Sequence, residues 1–224
     1  MSDVERLSSE EVSAYVGAVE WVQALIGSDE IGNAWSAPSA LTRYSTGGLA
    51  AHAVGGVVLR LLQVLDEPPP VGARRTDVAE AFGPNRMEGP EDDDPLFVAL
   101  REGYEQLAER GQGALLETCA TPFARLRELL PHAEADRAVP MVRVPDGQLS
   151  LRDYLRTRVL EAVVHGDDLV ASVPGWHAPA PPGDAVKVCL DICLELAVAR
   201  VGGTSALRAF TRSERAEPDA LRVL

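Results

Sequence analysis

One long apolar run with helical spacing constrains the fold most strongly. Between about Gly47 and Asp66 the apolar residues recur at the intervals of an α-helix, and Arg60 is the one interior charge. Ser45 or Thr46 can cap its start, and the prolines at 68 to 70 end it. Because a helix that is apolar on most faces is stable only when surrounded by other elements, we expect this run in the core of a mainly helical protein.

Further helical patterns can supply the surrounding layer. They run from Ser8 or Ser9 to Ile26, from about Pro95 to Leu130, from Leu151 to Ser172, and from Gly183 to the glycines at 202 and 203. Pro122 is expected to divide or kink the second of these. Residues 71–94 predict at most a short helix followed by an acidic loop, and residues 139–150 predict an extended connector with a turn at Pro145, Asp146 and Gly147. The tail, Leu207 to Thr211 and Leu221 to Leu224, is interpreted as two short strands.

Composition excludes several classes of partner. The formal net charge is −13, so no positive field attracts nucleic acid. No uninterrupted apolar run reaches the roughly 18 residues expected of a membrane span, and the acidic start lacks a signal core. We therefore expect a cytoplasmic monomer or homodimer that contacts neither nucleic acid nor membrane. Cys119, Cys189 and Cys193 are interpreted as buried, reduced thiols.

Three side chains form a candidate metal site. Glu161 and His165 are four residues apart, so on a helix they lie on one face about 6 Å apart, where one cation can meet both. His52, on the apolar second helix, is the natural third ligand. Imidazole and carboxylate suit zinc, whose catalytic sites keep one coordination position open. On spacing alone a metal-free alternative is equally supported, in which Glu161 pairs with Arg158 or another arginine.

Two segments resemble a known family. They are WSAPSALTRYSTGGLAAHAVGG at 35–56, which contains His52, and LSLRDYLRTRVLEAVVHGDDL at 149–169, which contains the pattern E-x-x-x-H-G-x-D-L. Both are similar to the mycothiol-dependent maleylpyruvate isomerase family of actinobacteria, within the DinB/YfiT-like metalloprotein superfamily. The closing ALRAFTRSERAEPDALRVL extends the likeness over most of the chain.

The resemblance implies both a fold and a site. It implies a mainly α protein, with a DinB-like four-helix bundle at 1–173 and, at 174–224, a Pro-rich linker and a short C-terminal α+β segment. It implies His52, Glu161 and His165 as ligands of a divalent metal, zinc first and nickel as the alternative. Asp168 is expected to orient a ligand through a hydrogen bond, although a surface carboxylate is an equal alternative. Arg212 is the candidate for an essential C-terminal arginine, with Arg208 and Arg215 close by.

The resemblance also implies a thiol chemistry. Metal coordination lowers a thiol pKa, so that mycothiol would bind as the nucleophilic thiolate. In an isomerase the thiolate adds to the double bond of maleylpyruvate, rotation follows, and the thiolate leaves to give fumarylpyruvate. In a transferase it attacks a small electrophile and stays attached. The segment after residue 173 is shorter than the C-terminal domain of the isomerase, so the electrophile stays open. A non-catalytic metal-binding or ligand-binding protein of the same fold is the alternative.

Overall fold

A computed structural model describes residues 4–70, 72, 74–82, 94–141, 147–215 and 219–223. The helices are α1 (Ser9–Ile26), α2 (Asp29–Ala34), α3 (Thr46–Asp66), α4 (Val78–Phe82), α5 (Pro95–Ala108), α6 (Gln112–Leu129), α7 (Leu151–Ala171), α8 (Gly183–Val201) and α9 (Gly203–Thr211). Single 3-10 turns lie at Leu130–His132 and Ser213–Arg215. The strands are β1 (Arg74–Arg75), β2 (Ala138–Pro140) and β3 (Gly147–Ser150). The predicted mainly α, DinB-like fold is confirmed.

Helix α3 is the core helix that its apolar sequence predicted. Its first half packs against α5 and α7, and its middle packs against α6 and α7. By length and composition α3 could cross a membrane, but 61% of its most apolar window is buried inside the protein. This burial is that of a core helix in a bundle. The middle of α3, Gly55–Leu59, is a π-helical turn, which the apolar pattern did not predict.

Side-chain caps define the residues at which α1 and α3 begin. The Ser8 hydroxyl accepts from the Glu11 amide, and the Glu11 carboxylate accepts from the Ser8 amide, which completes a capping box for α1. Ser45 caps α3 by accepting from the Gly48 amide. The Ser45 amide and hydroxyl in turn donate to the Glu105 carboxylate, both at 2.7 Å. Glu105 thereby places a negative charge at the positive end of α3 and joins α5 to it.

A small sheet anchors the start of α7. The strand order is β1-β3-β2, with β1 parallel and β2 antiparallel to β3; Val139 faces Leu149 in the register. Ser150 ends β3 and also caps α7, since its hydroxyl accepts from the Asp153 amide at 3.0 Å. The Leu151 amide donates to the Arg137 carbonyl at 2.8 Å. The direction of α7 is thus set by backbone pairing at its first turn.

The predicted interruption of the 95–130 helix is at a different residue. The chain breaks at Gly111, whose φ of 87° lies in the left-handed region that glycine adopts without steric cost. Pro122 was expected to divide or kink the helix, but it lies inside α6 and does not divide it. The division therefore follows from backbone geometry at glycine and not from the missing amide of proline.

The predicted C-terminal strands are wrong. Leu207 to Thr211 belongs to helix α9, and the described residues 221–223 contain no strand. Short apolar runs fit both periodicities, and a helix satisfies its backbone hydrogen bonds locally, whereas a strand needs a partner. The proposed boundary near residue 173 stays a prediction; α8, beyond it, packs against α1 and α7.

Some expectations fall outside the described residues. Most of the acidic loop predicted after the short helix falls on residues 83–93, which the structure does not describe. The turn predicted at Pro145 and Asp146 falls on residues 142–146, which it does not describe either. The extended connector is otherwise confirmed by β2 and β3.

The close approach of α1 and α7 generates the first prediction. A Cβ at Gly166 would overlap the buried ring of Trp21, so Gly166→Ala should lower the free energy of unfolding by about 1–3 kcal/mol. Gly103→Ala is the matched control, because a Cβ there meets open space within α5; it should raise stability by about 0.5–1 kcal/mol. Denaturant titration measures both. Equal effects of the two substitutions would show that the helices are not in contact at Gly166.

Candidate metal centre

The three predicted ligands meet between α3 and α7. His52 comes from α3, and Glu161 and His165 lie one turn apart on α7. The Nε2 atoms of His52 and His165 are 3.1 Å apart, although the residues are 113 positions apart in sequence. The His165 Nε2 lies 3.1 Å from the Glu161 Oε2. One candidate ligand atom from each residue falls within 4.8 Å of the others.

This donor set fits a small divalent ion. In a tetrahedral zinc site with Zn–N bonds of 2.0–2.1 Å, neighbouring ligand atoms are separated by about 3.3 Å. The two separations of 3.1 Å are close to that value. The set also has the chemistry of a catalytic site, since two imidazoles and one carboxylate leave a fourth position for water or another ligand.

Asp168 lies beside His165, as expected from the sequence. Its Oδ2 is 3.1 Å from the His165 Nδ1, on the side of the ring away from the cluster. When Nδ1 carries the proton and donates to this carboxylate, the Nε2 lone pair is directed at His52 and Glu161. Of the two interpretations of Asp168, the geometry favours the orienting one over a purely surface role.

The charges at the site shift two pKa values in opposite directions. Burial alone would raise the pKa of Glu161, but the hydrogen bond with His165 and the charge of Arg158 outweigh it and lower the pKa to about 2. Burial alone would lower the pKa of His165, but the hydrogen bonds with Asp168 and Glu161 raise it to about 9. Without a metal the pair is therefore a carboxylate and an imidazolium at neutral pH.

Aromatic rings and an arginine enclose the cluster. The ring of Tyr104 packs edge-on against His52 at a centroid distance of 4.9 Å, and Tyr44 lies 5.5 Å from the same imidazole. Burial raises the pKa of the Tyr44 phenol to about 12, so it stays protonated. The Arg158 side chain, 13% exposed, stacks over the Tyr154 ring at 4.7 Å. Its Nη2 is 3.7 Å from the Glu161 Oε1.

The sequence predicts Arg158 only as a partner of Glu161 that would exclude a metal. The structure puts it near Glu161, but 3.7 Å is too long for a direct hydrogen bond, and Glu161 directs its other oxygen to His165. The spacing of Arg158 and Glu161, three residues apart on one helix, was the signal available. Nothing in the sequence signalled that Tyr104, from α5, would contact His52.

The remaining candidates lie elsewhere. Arg212 follows α9, is exposed, and donates to the Thr211 carbonyl at 2.8 Å. Within the described part of the chain it makes no hydrogen bond or ion pair with His52, Glu161 or His165. Arg208 and Arg215 are also exposed. The role of Arg212 therefore stays a prediction.

The cysteines are free thiols, as predicted. Cys119 and Cys189 are buried, and Cys193 is partly buried. Burial raises the pKa of Cys119 to about 11 and that of Cys189 to about 12. These two thiols are therefore protonated at neutral pH, which makes them poor nucleophiles.

The fold and the cluster together define a class: a helical bundle whose inward-facing histidines and glutamate can hold a metal ion. Comparison with known families gives the assignment. Residues 22–170 match the family described as the mycothiol maleylpyruvate isomerase N-terminal domain. The match covers more than half of the chain and includes all three candidate ligands, so the chain belongs to this family. No curated protein and no solved structure matches it.

The hydrogen bond of Asp168 generates the second prediction. In metal-free protein the His165 resonances should titrate with a pKa of about 9, and Asp168→Asn should lower that pKa toward the ordinary 6.5, because the carboxylate that stabilises the imidazolium is lost. Asp167→Asn removes the same charge from an exposed neighbour and should change the pKa much less. NMR titration of the histidine ring protons measures both. An equal shift in the two variants would contradict the orienting role of Asp168.

Proposed function

We propose that this protein is a metal-dependent enzyme that activates a low-molecular-weight thiol, mycothiol, for reaction with a small electrophile. The observation that carries the proposal is the His52–Glu161–His165 cluster, whose spacing and donor types suit zinc, in a chain of this family. A divalent ion held there would lower the pKa of a bound thiol, so that it reacts as the thiolate at neutral pH.

The residues of the chain have separate tasks in this proposal. His52, Glu161 and His165 hold the ion, and Asp168 holds His165 in the required tautomer. Tyr44 and Tyr104 pack around His52 and restrict water on that side. Glu161 is 27% exposed, so the site opens to solvent beside this carboxylate, where a thiol and an electrophile can enter.

The buried cysteines are consistent with a thiol supplied from outside. A protein that used its own cysteine as the nucleophile would need an accessible thiol with a lowered pKa. Cys119 and Cys189 are buried, Cys193 is partly buried, and burial raises the pKa of all three thiols. The nucleophile is therefore proposed to be the small-molecule thiol, either added reversibly, as in maleylpyruvate isomerisation, or transferred to the electrophile.

The third prediction concerns the metal. Purified protein should bind about one zinc ion per chain, and His52→Ala, Glu161→Gln and His165→Ala should each weaken binding by roughly 100-fold or more, since losing even an outer hydrogen-bond partner costs about 10–100-fold. Elemental analysis and chelator competition measure this. His177→Ala, which changes an exposed histidine in the linker, is the control and should bind zinc like the parent. Parent protein without zinc, or all three variants with full zinc, would contradict the assignment of ligands.

The fourth prediction concerns the thiol. Zinc-loaded or nickel-loaded protein should bind mycothiol in calorimetry, and the Glu161→Gln variant should not, because the coordination site is lost. Turnover is then measured with maleylpyruvate and with chlorodinitrobenzene, a general thiol acceptor. Thiol binding without consumption of any electrophile would favour the non-catalytic alternative. Absence of mycothiol binding to metal-loaded protein would overturn the proposed function.

A further inference from the structure

The π-helical turn of α3 lies directly beside the candidate metal centre. Gly55–Leu59 follows His52 by less than one turn of helix. A π turn contains one residue more than an α turn and changes the direction of its carbonyl groups, which is one reason why such turns are frequent at functional sites. Two carbonyls of this turn accept from side chains: Val57 from the Tyr15 hydroxyl at 3.1 Å, and Gly56 from Arg158 at 3.2 Å.

The hydrogen bond to Gly56 holds an arginine at the edge of the cluster. The Arg158 Nη1 donates to the Gly56 carbonyl, and the Nε and Nη2 each lie 3.3 Å from the Thr157 hydroxyl. The Tyr154 ring covers one face of the guanidinium. These contacts fix the plane of the group, and its Nη2 faces the Glu161 Oε1 at 3.7 Å.

Gly55, at the start of the π turn, makes room for Tyr104, whereas Gly56 would have room for a Cβ. A Cβ at Gly55 would come within 2.5 Å of the Tyr104 ring. Glycine therefore lets that ring pack against α3, where it contacts His52. A Cβ at Gly56 would lie 3.9 Å from the Arg158 Nη1 and 4.0 Å from the Tyr104 hydroxyl. Arg158 and Tyr104 therefore meet over the same stretch of helix, with the cluster beside them.

The charges at the cluster indicate a function for Arg158. A divalent ion would balance the carboxylates of Glu161 and Asp168, and Arg158 would then leave the site with a net positive charge. Arg158 forms an ion pair with the Glu161 Oε1 at 3.7 Å, but this distance is longer than a hydrogen bond, and the other Glu161 oxygen is bonded to His165. The Thr157 hydroxyl takes the Nε hydrogen and one Nη2 hydrogen, and the Gly56 carbonyl takes one Nη1 hydrogen. One N–H on Nη1 and one on Nη2 are left to donate to a carboxylate of a ligand.

We propose that Arg158, oriented by the Gly56 carbonyl of the π turn, is an anion-binding residue that receives a carboxylate of the electrophile beside the metal-bound thiol. The inference rests on the proposed function, because it requires a metal-bound thiol. It gives the bundle its own carboxylate subsite, independent of the exposed Arg212 beyond α9.

The test compares two small thiols on cobalt(II)-substituted protein. Binding is followed by the thiolate-to-cobalt absorption band for two probes. 3-Mercaptopropionate joins a thiol to a carboxylate through two carbons, as the adduct of a thiol with a carboxylate-bearing electrophile would, and 2-mercaptoethanol is neutral. The parent protein should prefer 3-mercaptopropionate by roughly tenfold in dissociation constant, as expected for a charge-assisted hydrogen-bonded pair. Arg158→Met should abolish the preference while cobalt still binds, and Arg158→Lys should keep part of it. Comparing the ratio between proteins cancels the intrinsic difference between the thiols.

The controls separate the possible failures. Arg212→Met should leave the preference for 3-mercaptopropionate unchanged. If Arg212→Met loses this preference and Arg158→Met keeps it, the carboxylate binds at the C-terminal segment and the inference is overturned. A structural role for Arg158 predicts that both thiols weaken equally. If Arg158→Met does not fold, Arg158→Lys and the parent ratio still decide, since no preference in the parent protein contradicts the inference. Absence of cobalt binding, or of binding of either thiol, contradicts the proposed function itself.

Discussion

The rest of the structure depends on the placement of one carboxylate inside an apolar bundle. Glu161 lies on α7, where Val159, Leu160 and Ala162 are buried around it. An ionised carboxylate in such surroundings is costly unless cations or hydrogen-bond donors compensate it. Arg158 and His165 come from the same helix, three and four residues away respectively, and His52 comes from the core helix opposite. The packing of α3 against α7 is therefore also the means by which a partly buried negative charge is stabilised.

This requirement explains why the two helices are fixed so firmly at their ends. A shift of α7 by one residue would turn Glu161 away from His52 by about 100°. Pairing of β3 with its neighbours and the Ser150 cap define the first turn of α7, while Gly166 fits against Trp21 near its last turns. Glu105 holds the first turn of α3 in the same way. Both helices that supply the site are therefore held where they begin, and α7 is also held near its last turns.

Much of this could be predicted from the sequence, because it follows from local patterns. The spacing of apolar residues predicted α1, α3, α7 and α8, and Ser8, Ser45 and Ser150 predicted where three of them begin. The four-residue spacing placed Glu161 and His165 on one face of α7. His52 was a candidate from its place on the apolar helix, but only the resemblance to a family supported joining it to the pair, since nothing local links residues 113 apart. Tertiary contacts decided the rest: the contact of Tyr104 with His52 and the bond from Arg158 to Gly56 have no counterpart in a linear pattern. The helix at α9 was missed because the few apolar residues of the five-residue segment 207–211 fit both the helical and the strand period.

The π turn at Gly55–Leu59 has a consequence for which sequence changes α3 can accept. Each residue advances a helix by about 100°, so the extra residue in the turn rotates everything after it relative to His52. Substitutions within the turn keep that offset, as long as they leave room for Tyr104. Deletion of one residue would restore an unbroken α-helix and rotate the second half of α3 against α6, while removing the carbonyl that Arg158 contacts. The number of residues in this turn is therefore constrained more tightly than their identity. The core helix tolerates a substitution in the turn far better than the deletion of a residue.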